Sequence, residues 1–227
     1  MTRPQALLFD FDGVLLESEF AGNRQIAEFL TAAGHPTSAA DSMANFMGLS
    51  GTHFTQAIER WVGGPIPAGF FEARAIEDAR VLEEGVEAVA GAIAFVRSLP
   101  ADLPRAIVSS STTHWISTHL RHLGLADAFG DHIYSGKEHV ANGKPAPDLY
   151  LHGAKQLGVP IEHCTILEDS PVGVTGAVAS GARVIGLCAG THCGVGHDAR
   201  LRELGVTDIA HGFENVSRLL GLEPATA

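Results

Sequence analysis

The stretch Leu7–Glu19, LLFDFDGVLLESE, carries the strongest indication of the fold. Its apolar run ends in two aspartates, Asp10 and Asp12, and Gly13 follows at once. A strand buried on both faces of a parallel sheet stays apolar until its carboxyl edge, where catalytic groups can stand. Strand alternation puts both aspartates on one side, where they favour a hard cation such as Mg2+ between them. An exposed Asp-Gly turn after a strand would give the same residues.

The composition predicts one sizeable globular core, alone or with a small inserted domain, since 45% of the 227 residues are hydrophobic and 18% are charged. The formal charge is −11, and lysine occurs only as Lys137, Lys144 and Lys155. Because nucleic-acid binding requires clustered basic residues, we expect no nucleic acid as partner.

The sequence also predicts that the protein is cytoplasmic and does not bind membranes. No apolar run approaches the length that spans a bilayer, and the N-terminus reaches acidic residues too early for a secretory segment. The three cysteines form no CxxC pair, which is typical of a reducing compartment.

Two regions with different patterns follow the first strand. Residues 17–83 show helical patterns only, broken by glycines and prolines such as GGPIP at 63–67. From residue 84 onward helices alternate with short apolar strands, beginning with a helix over Val86–Leu99. This alternation predicts an α/β fold, a doubly wound, Rossmann-like parallel sheet built from residues 1–16 and 84–227, with 17–83 as an inserted α-helical domain.

Polar side chains follow three of the predicted strands, and one lysine lies in a loop that could reach the same edge. They are Asp10 and Asp12, Ser109 and Ser110 after AIV, Glu168 and Asp169 after TIL, and Lys144 in NGKPAPD. The carboxyl ends of parallel strands meet at one crevice, so we expect these groups to converge. A carboxylate nucleophile, acidic metal ligands, hydroxyl donors and a cation are what phosphoryl transfer requires.

Each of these groups alone also has a simpler explanation. The two serines could cap the following helix. The lysine could be a solvated loop charge, and the Glu-Asp pair an acidic turn before Pro171. Their joint placement at strand ends favours the catalytic interpretation.

The motifs DFDGV, VSSS, GKPAPD and EDS, in this order and spacing, resemble those of the haloacid dehalogenase superfamily of phosphatases and phosphomutases. The resemblance covers essentially the whole chain, because residues 17–83 also resemble the helical cap domain of that superfamily's first subfamily. It implies Mg2+ as cofactor and a small phosphorylated molecule as substrate. The chain is similar above all to bacterial enzymes that act on sugar phosphates such as 6-phosphogluconate, and to the beta-phosphoglucomutase group. We expect a monomer or a weak homodimer.

The resemblance implies a catalytic role for four residues and a phosphate contact for a fifth, Ser110. Asp10 would be the nucleophile that forms an aspartyl-phosphate and would also bind Mg2+. Asp12 would act as general acid and then general base, with its main-chain carbonyl on Mg2+. Ser109 would bind the transferring phosphoryl group beside the Ser110 amide, and Lys144 would neutralise charge on the nucleophile and the phosphoryl oxygens.

The resemblance also implies the remaining metal and substrate contacts. Asp169 would bind Mg2+ directly, and Glu168 would do so directly or through water. Gly48, Leu49 and Ser50 would form the cap loop that selects the substrate.

Departures from other members of the superfamily favour phosphate hydrolysis. Dehalogenases lack the acid that Asp12 supplies, and phosphonate hydrolases use a cap lysine, whereas residues 1–136 contain no lysine. Sugar phosphomutases of the beta-phosphoglucomutase type place a histidine in the first cap helix, where this chain has Gly22. We therefore expect a Mg2+-dependent phosphatase for a small sugar or polyol phosphate. A phosphomutase is the alternative, and a non-catalytic binding protein on the same fold is a remote one.

Two further sets of residues have patterns that could suggest other roles. His192, Cys193 and His197 have a spacing that suggests a soft metal, but a fourth ligand is missing, so we predict no zinc site. Trp61 and Trp115 lie in helical patterns, and packing explains them better than nucleotide stacking.

Overall fold

Six short strands form one sheet in the computed structural model, which describes residues 4–47, 49 and 51–222. The strands are β1 (Ala6–Phe9), β2 (Arg105–Ser109), β3 (Ile133–Ser135), β4 (Cys164–Glu168), β5 (Arg183–Leu187) and β6 (Asp208–Ala210). All neighbours are parallel, in the order β3-β2-β1-β4-β5-β6. The predicted doubly wound α/β fold is therefore confirmed. The strand order reverses between β1 and β4, where sheets of this kind bind ligands at the carboxyl ends of their strands.

Residues 18–86 form a compact unit whose described part is helical. Its helices are α1 (Ser18–Ala32), α2 (Ala39–Phe46), α3 (Gly51–Val62) and α4 (Phe70–Glu84). These helices have a core of their own, in which Leu30, Phe46, Ile58 and Phe70 are buried. The predicted helical region is confirmed, and its assignment as a cap domain over 17–83 stays a prediction.

Residues 1–17 and 87–227 form the second compact unit, which contains the sheet. Its helices are α5 (Ala92–Ser98), α6 (Thr113–His122), α7 (Ala126–Phe129), α8 (Asp148–Gln156), α9 (Pro171–Ala179), α10 (His197–Glu203) and α11 (Phe213–Leu220). All four residues of β1 are fully buried, so both faces of this strand are covered, as its unbroken apolar run predicts. No helix in the described ranges is both long and apolar enough to cross a membrane.

The helix predicted over Val86–Leu99 is wrong in its first part, because α5 begins only at Ala92. The preceding residues pair instead with the segment that follows β1. The Val89 amide donates to the Leu15 carbonyl at 3.0 Å, and Ala88 forms an antiparallel bridge with Leu16. These contacts satisfy backbone groups that a helix would otherwise have paired within itself.

The packing around β1 predicts a large stability loss when a central side chain is shortened. Leu8 is fully buried in the sheet core, so Leu8→Ala should lower the free energy of unfolding by about 2–5 kcal/mol. Leu151→Ala makes the same change at an exposed position of α8 and should cost far less. Urea unfolding followed by circular dichroism measures both, and equal losses would contradict the core assignment.

Candidate active site

Asp10 directly follows β1, and the neighbouring strand β4 brings two more acids to it. The Asp10 amide donates to the Leu167 carbonyl at 3.0 Å, which aligns Asp10 with the end of β4 at Glu168. Asp10 is 7% exposed, and Glu168 and Asp169 are buried completely or nearly so. One oxygen of each of the three carboxylates lies within 4.8 Å of the other two. The structure therefore brings the first and last acidic motifs together.

Lys144 supplies the positive charge in this group, from the loop between β3 and α8. Its Nζ lies 2.6 Å from Asp10 Oδ1 and 2.6 Å from Glu168 Oε1, and its side chain is 4% exposed. Burial opposes the charge, but Asp10 and Glu168 outweigh it and hold the pKa of Lys144 well above its ordinary value. The lysine is thus an ammonium ion shared between two carboxylates.

The three carboxylates outnumber this one ammonium ion. Burial raises the pKa of Asp10 well above its ordinary value, and Glu168 and Asp169 raise it further, against the lowering effect of Lys144. Burial, followed by Glu168, likewise raises the pKa of Asp169. A cation among these oxygens would remove the excess negative charge, so the cluster is a plausible metal site.

Glu168 and Asp169 differ in the oxygens that they leave available. Glu168 Oε1 accepts hydrogen bonds from Lys144 and, at 2.9 Å, from the Tyr150 hydroxyl. Its Oε2 accepts from the Asp169 and Ser170 amides, both at 3.0 Å, at the start of α9, where the helix dipole favours an anion. Asp169 Oδ1, by contrast, is buried without a hydrogen-bond partner in the part of the chain that the structure describes. Asp169 therefore offers the buried oxygen that a hard cation needs.

Gly13 makes room for Asp169 at this place. Its φ is +81°, a backbone conformation that residues other than glycine rarely adopt. A Cβ added to Gly13 would lie only 2.1 Å from Asp169 Oδ2. Any larger residue would displace the carboxylate. This close approach explains the glycine that follows the two aspartates.

Asp12 is half-buried and is bound by hydroxyl and indole donors. The Ser111 hydroxyl donates to its Oδ2 at 2.6 Å, and the Ser109 hydroxyl makes a longer contact of 3.5 Å to the same oxygen. The Trp115 indole donates to Oδ1 at 3.0 Å. Ser109 is buried at the end of β2, and Ser110 beside it is exposed. The second motif therefore meets the first through Asp12.

Three contacts of the site were not expected from the sequence. Ser111 is the third serine of VSSS, so the motif itself contained the signal for it. Packing accounts for only part of the position of Trp115, which makes an edge-to-face contact with His119 at 4.3 Å between ring centroids and also donates a hydrogen bond to Asp12. Its signal was its place in the first turn of α6, next to the predicted serine edge. For Tyr150, which lies on α8, the sequence contains no signal.

The predicted substrate loop is only partly visible. Gly48 and Ser50 lie outside the described residues. Leu49 is exposed between α2 and α3. The role of this loop stays a prediction.

The buried ion pairs predict that Lys144 stabilises the folded chain. Lys144→Met keeps most of the side-chain bulk but leaves Asp10 and Glu168 without their cation, so the free energy of unfolding should fall by about 3–5 kcal/mol. Lys155→Met changes an exposed lysine of α8 and should have little effect. Urea unfolding in metal-free buffer compares the two variants. Similar small losses would mean that the pairs contribute little.

Comparison with known proteins confirms the predicted resemblance. Residues 4–181 match a family described as haloacid dehalogenase-like hydrolase. Hexitol phosphatase A of Escherichia coli (strain K12) is 31% identical over 192 residues, which cover 82% of this chain and 84% of that protein. The 6-phosphogluconate phosphatase of the same strain is 27% identical over 195 residues, which cover 85% and 86%. A crystal structure of a HAD family hydrolase from Deinococcus radiodurans R1, with bound phosphate and sodium, has a TM-score of 0.83 at 30% identity and 98% coverage of both chains. The chain therefore belongs to the haloacid dehalogenase-like hydrolase family, among relatives that are phosphatases.

Proposed function

We propose that this chain is a Mg2+-dependent phosphatase that releases inorganic phosphate from a small sugar or polyol phosphate. The observation that carries the proposal is the buried contact of 2.6 Å between Asp10 Oδ1 and Lys144 Nζ, beside Asp169, whose Oδ1 has no hydrogen-bond partner among the described residues. A nucleophile, a fixed cation and a metal-binding oxygen thus stand together at the reversal point of the sheet.

The acidic cluster fits Mg2+, because its donors are hard carboxylate oxygens and one of them is buried without a hydrogen-bond partner in the described part of the chain. Asp10 and Asp169 would hold the ion, with the main-chain carbonyl of Asp12. Glu168 already accepts hydrogen bonds at both oxygens, so we assign it to anchoring Lys144 and to contacting the ion through water. When bound, Mg2+ would neutralise charge on the phosphoryl oxygens.

In the first step, Asp10 attacks phosphorus. Its Oδ1 is held by Lys144, so we assign the attack to Oδ2. The bond between phosphorus and the leaving oxygen breaks, and Asp12 gives its proton to that oxygen. The Ser109 hydroxyl, the Ser110 amide and Lys144 bind the phosphoryl oxygens during the transfer.

In the second step, water attacks the aspartyl-phosphate. Asp12, now ionised, takes a proton from the water as the new bond to phosphorus forms. The bond between phosphorus and Asp10 Oδ2 breaks, which restores the carboxylate and releases inorganic phosphate. The carboxyl group of Asp12 therefore transfers a proton in both steps, and its orientation affects the rate of each.

Two observations support hydrolysis of sugar or polyol phosphates. The relatives named above carry the names of a hexitol phosphatase and a 6-phosphogluconate phosphatase. Gly22, in α1, offers no side chain where sugar phosphomutases place a histidine. Phosphorus NMR on hexose and hexitol phosphates distinguishes phosphate release from isomer formation.

Removing the nucleophile tests the mechanism. Asp10→Asn should lower phosphate release from p-nitrophenyl phosphate by a factor of at least about 1,000, because an amide oxygen is a poor nucleophile. Asp131→Asn, which makes the same change at an exposed position before β3, should retain the activity. A steady-state assay with Mg2+ measures both, and an active Asp10→Asn enzyme would refute the aspartyl-phosphate.

The indole of Trp115 should affect turnover through Asp12. Trp115→Phe removes the donor to Asp12 Oδ1, so kcat should fall about tenfold, while the KM for p-nitrophenyl phosphate changes less than about twofold. Trp61→Phe is the matched control, since it removes an indole donor to Thr37 Oγ1 at 2.8 Å in the helical unit. Equal kcat values in the two variants would show that the contact with Asp12 has no catalytic role.

A further inference from the structure

We infer that His192 is a positioning residue for the proposed metal ligand Asp169, and that His197 fixes the main chain of the same residue. Both histidines belong to the segment that follows β5, outside the motifs that carry the family resemblance. The inference rests on the proposed function, because it concerns how tightly Asp169 binds Mg2+.

The two imidazoles bind the two ends of Asp169. His192 Nε2 lies 2.7 Å from Asp169 Oδ2, and the two side chains are 1% and 2% exposed. His197 Nε2 lies 2.6 Å from the Asp169 carbonyl oxygen, and this ring is buried as well. The side chain and the backbone of Asp169 are therefore both held by the segment that follows β5.

The hydrogen bond from His192 distinguishes the two carboxylate oxygens of Asp169. Oδ2 is taken by the imidazole, whereas Oδ1 is buried without a partner in the described part of the chain. A carboxylate held in this way presents one chosen oxygen to a cation, and such outer partners strengthen metal binding. His192 therefore selects Oδ1 as the ligand atom.

Two glycines make room for the ring of His192. A Cβ added to Gly190 would lie 2.5 Å from His192 Cε1, and one added to Gly13 would lie 2.9 Å from the same atom. The imidazole thus fits between two glycines from different segments. Thr191, the residue before it, is fixed by a hydroxyl hydrogen bond of 2.7 Å to Glu17 Oε2.

A soft-metal site is the competing interpretation of these residues. One ligand atom each of His192, Cys193 and His197 lies within 4.8 Å of the others. A carbonyl oxygen can only accept a hydrogen bond, so His197 Nε2 must carry hydrogen. The ionised form of Asp169, which is the form that binds a cation, requires the same of His192 Nε2. A metal needs a lone pair at the ligating nitrogen, so these two nitrogens are better explained as donors to Asp169.

Calorimetric titration of the full chain with Mg2+ tests the role of His192 without depending on turnover. His192→Leu keeps bulk but removes the donor, and it should raise the Kd for Mg2+ by about 10- to 100-fold. His192→Gln places an amide donor near the original Nε2 and should keep the Kd within about threefold of the wild type. At saturating Mg2+, the KM for p-nitrophenyl phosphate should change less than about twofold in both variants.

Two further variants separate positioning from general damage to the fold. His192→Asn also withdraws the donor and should weaken Mg2+ binding, which keeps the test valid should the leucine variant not fold. His132→Leu alters a half-buried histidine before β3, at the opposite edge of the sheet, where its Nδ1 lies 2.9 Å from the Tyr134 hydroxyl. That variant should bind Mg2+ as the wild type does.

Three results would overturn the inference, and they have different meanings. Unchanged Mg2+ affinity in a folded His192→Leu or His192→Asn variant overturns it alone. Stoichiometric zinc in the purified wild type, lost in His192→Leu, assigns the cluster to a soft metal instead. A wild type that neither binds Mg2+ nor requires it overturns the proposed function together with this inference.

Discussion

The site depends on one buried ammonium ion, that of Lys144. Two carboxylates from different strands meet it, Asp10 after β1 and Glu168 at the end of β4. The lysine itself follows β3, which lies three places away from β4 in the sheet. Burying opposite charges away from water is costly unless they are well paired. The loop after β3 must therefore keep Lys144 beside its two carboxylates at the carboxyl edge of the sheet.

The same contact leaves three buried carboxylates around one ammonium ion, and each carboxylate has different neighbours. Glu168 has hydrogen bonds at both oxygens, from Lys144, Tyr150 and two backbone amides. Asp10 shares the ammonium ion through one oxygen, and one oxygen of Asp169 has no hydrogen-bond partner within the described ranges. The roles proposed for Glu168, Asp10 and Asp169, namely anchor, nucleophile and metal ligand, therefore rest on the neighbours of each group, since all three are buried carboxylates.

The sequence predicts the part of this site that follows from strand topology. Apolar runs that end in polar residues indicate strand ends, and strand ends of a parallel sheet converge, so Asp10, Ser109 and Asp169 could be brought together without coordinates. Trp115 and Tyr150 could not, because they reach the edge from helices whose rotation about their axes the pattern leaves open. The predicted start of a helix at Val86 is wrong for a related reason. The local pattern suits a helix, but residues at its start pair with the segment after β1, and the sequence does not show this pairing.

The histidines after β5 show why residue spacing alone misjudges such a cluster. The spacing of His192, Cys193 and His197 suggests a metal site that lacks a fourth ligand. Whether a histidine nitrogen donates a hydrogen bond or binds a metal depends instead on the atoms that face it. In the sheet, β4 has β1 on one side and β5 on the other. Asp169 therefore receives Asp10 and Gly13 from the first neighbour and the two imidazoles from the second. The imidazoles hold Asp169 through Oδ2 and the main-chain carbonyl, so Oδ1, which has no hydrogen-bond partner among the residues that the structure describes, is the oxygen left for a cation.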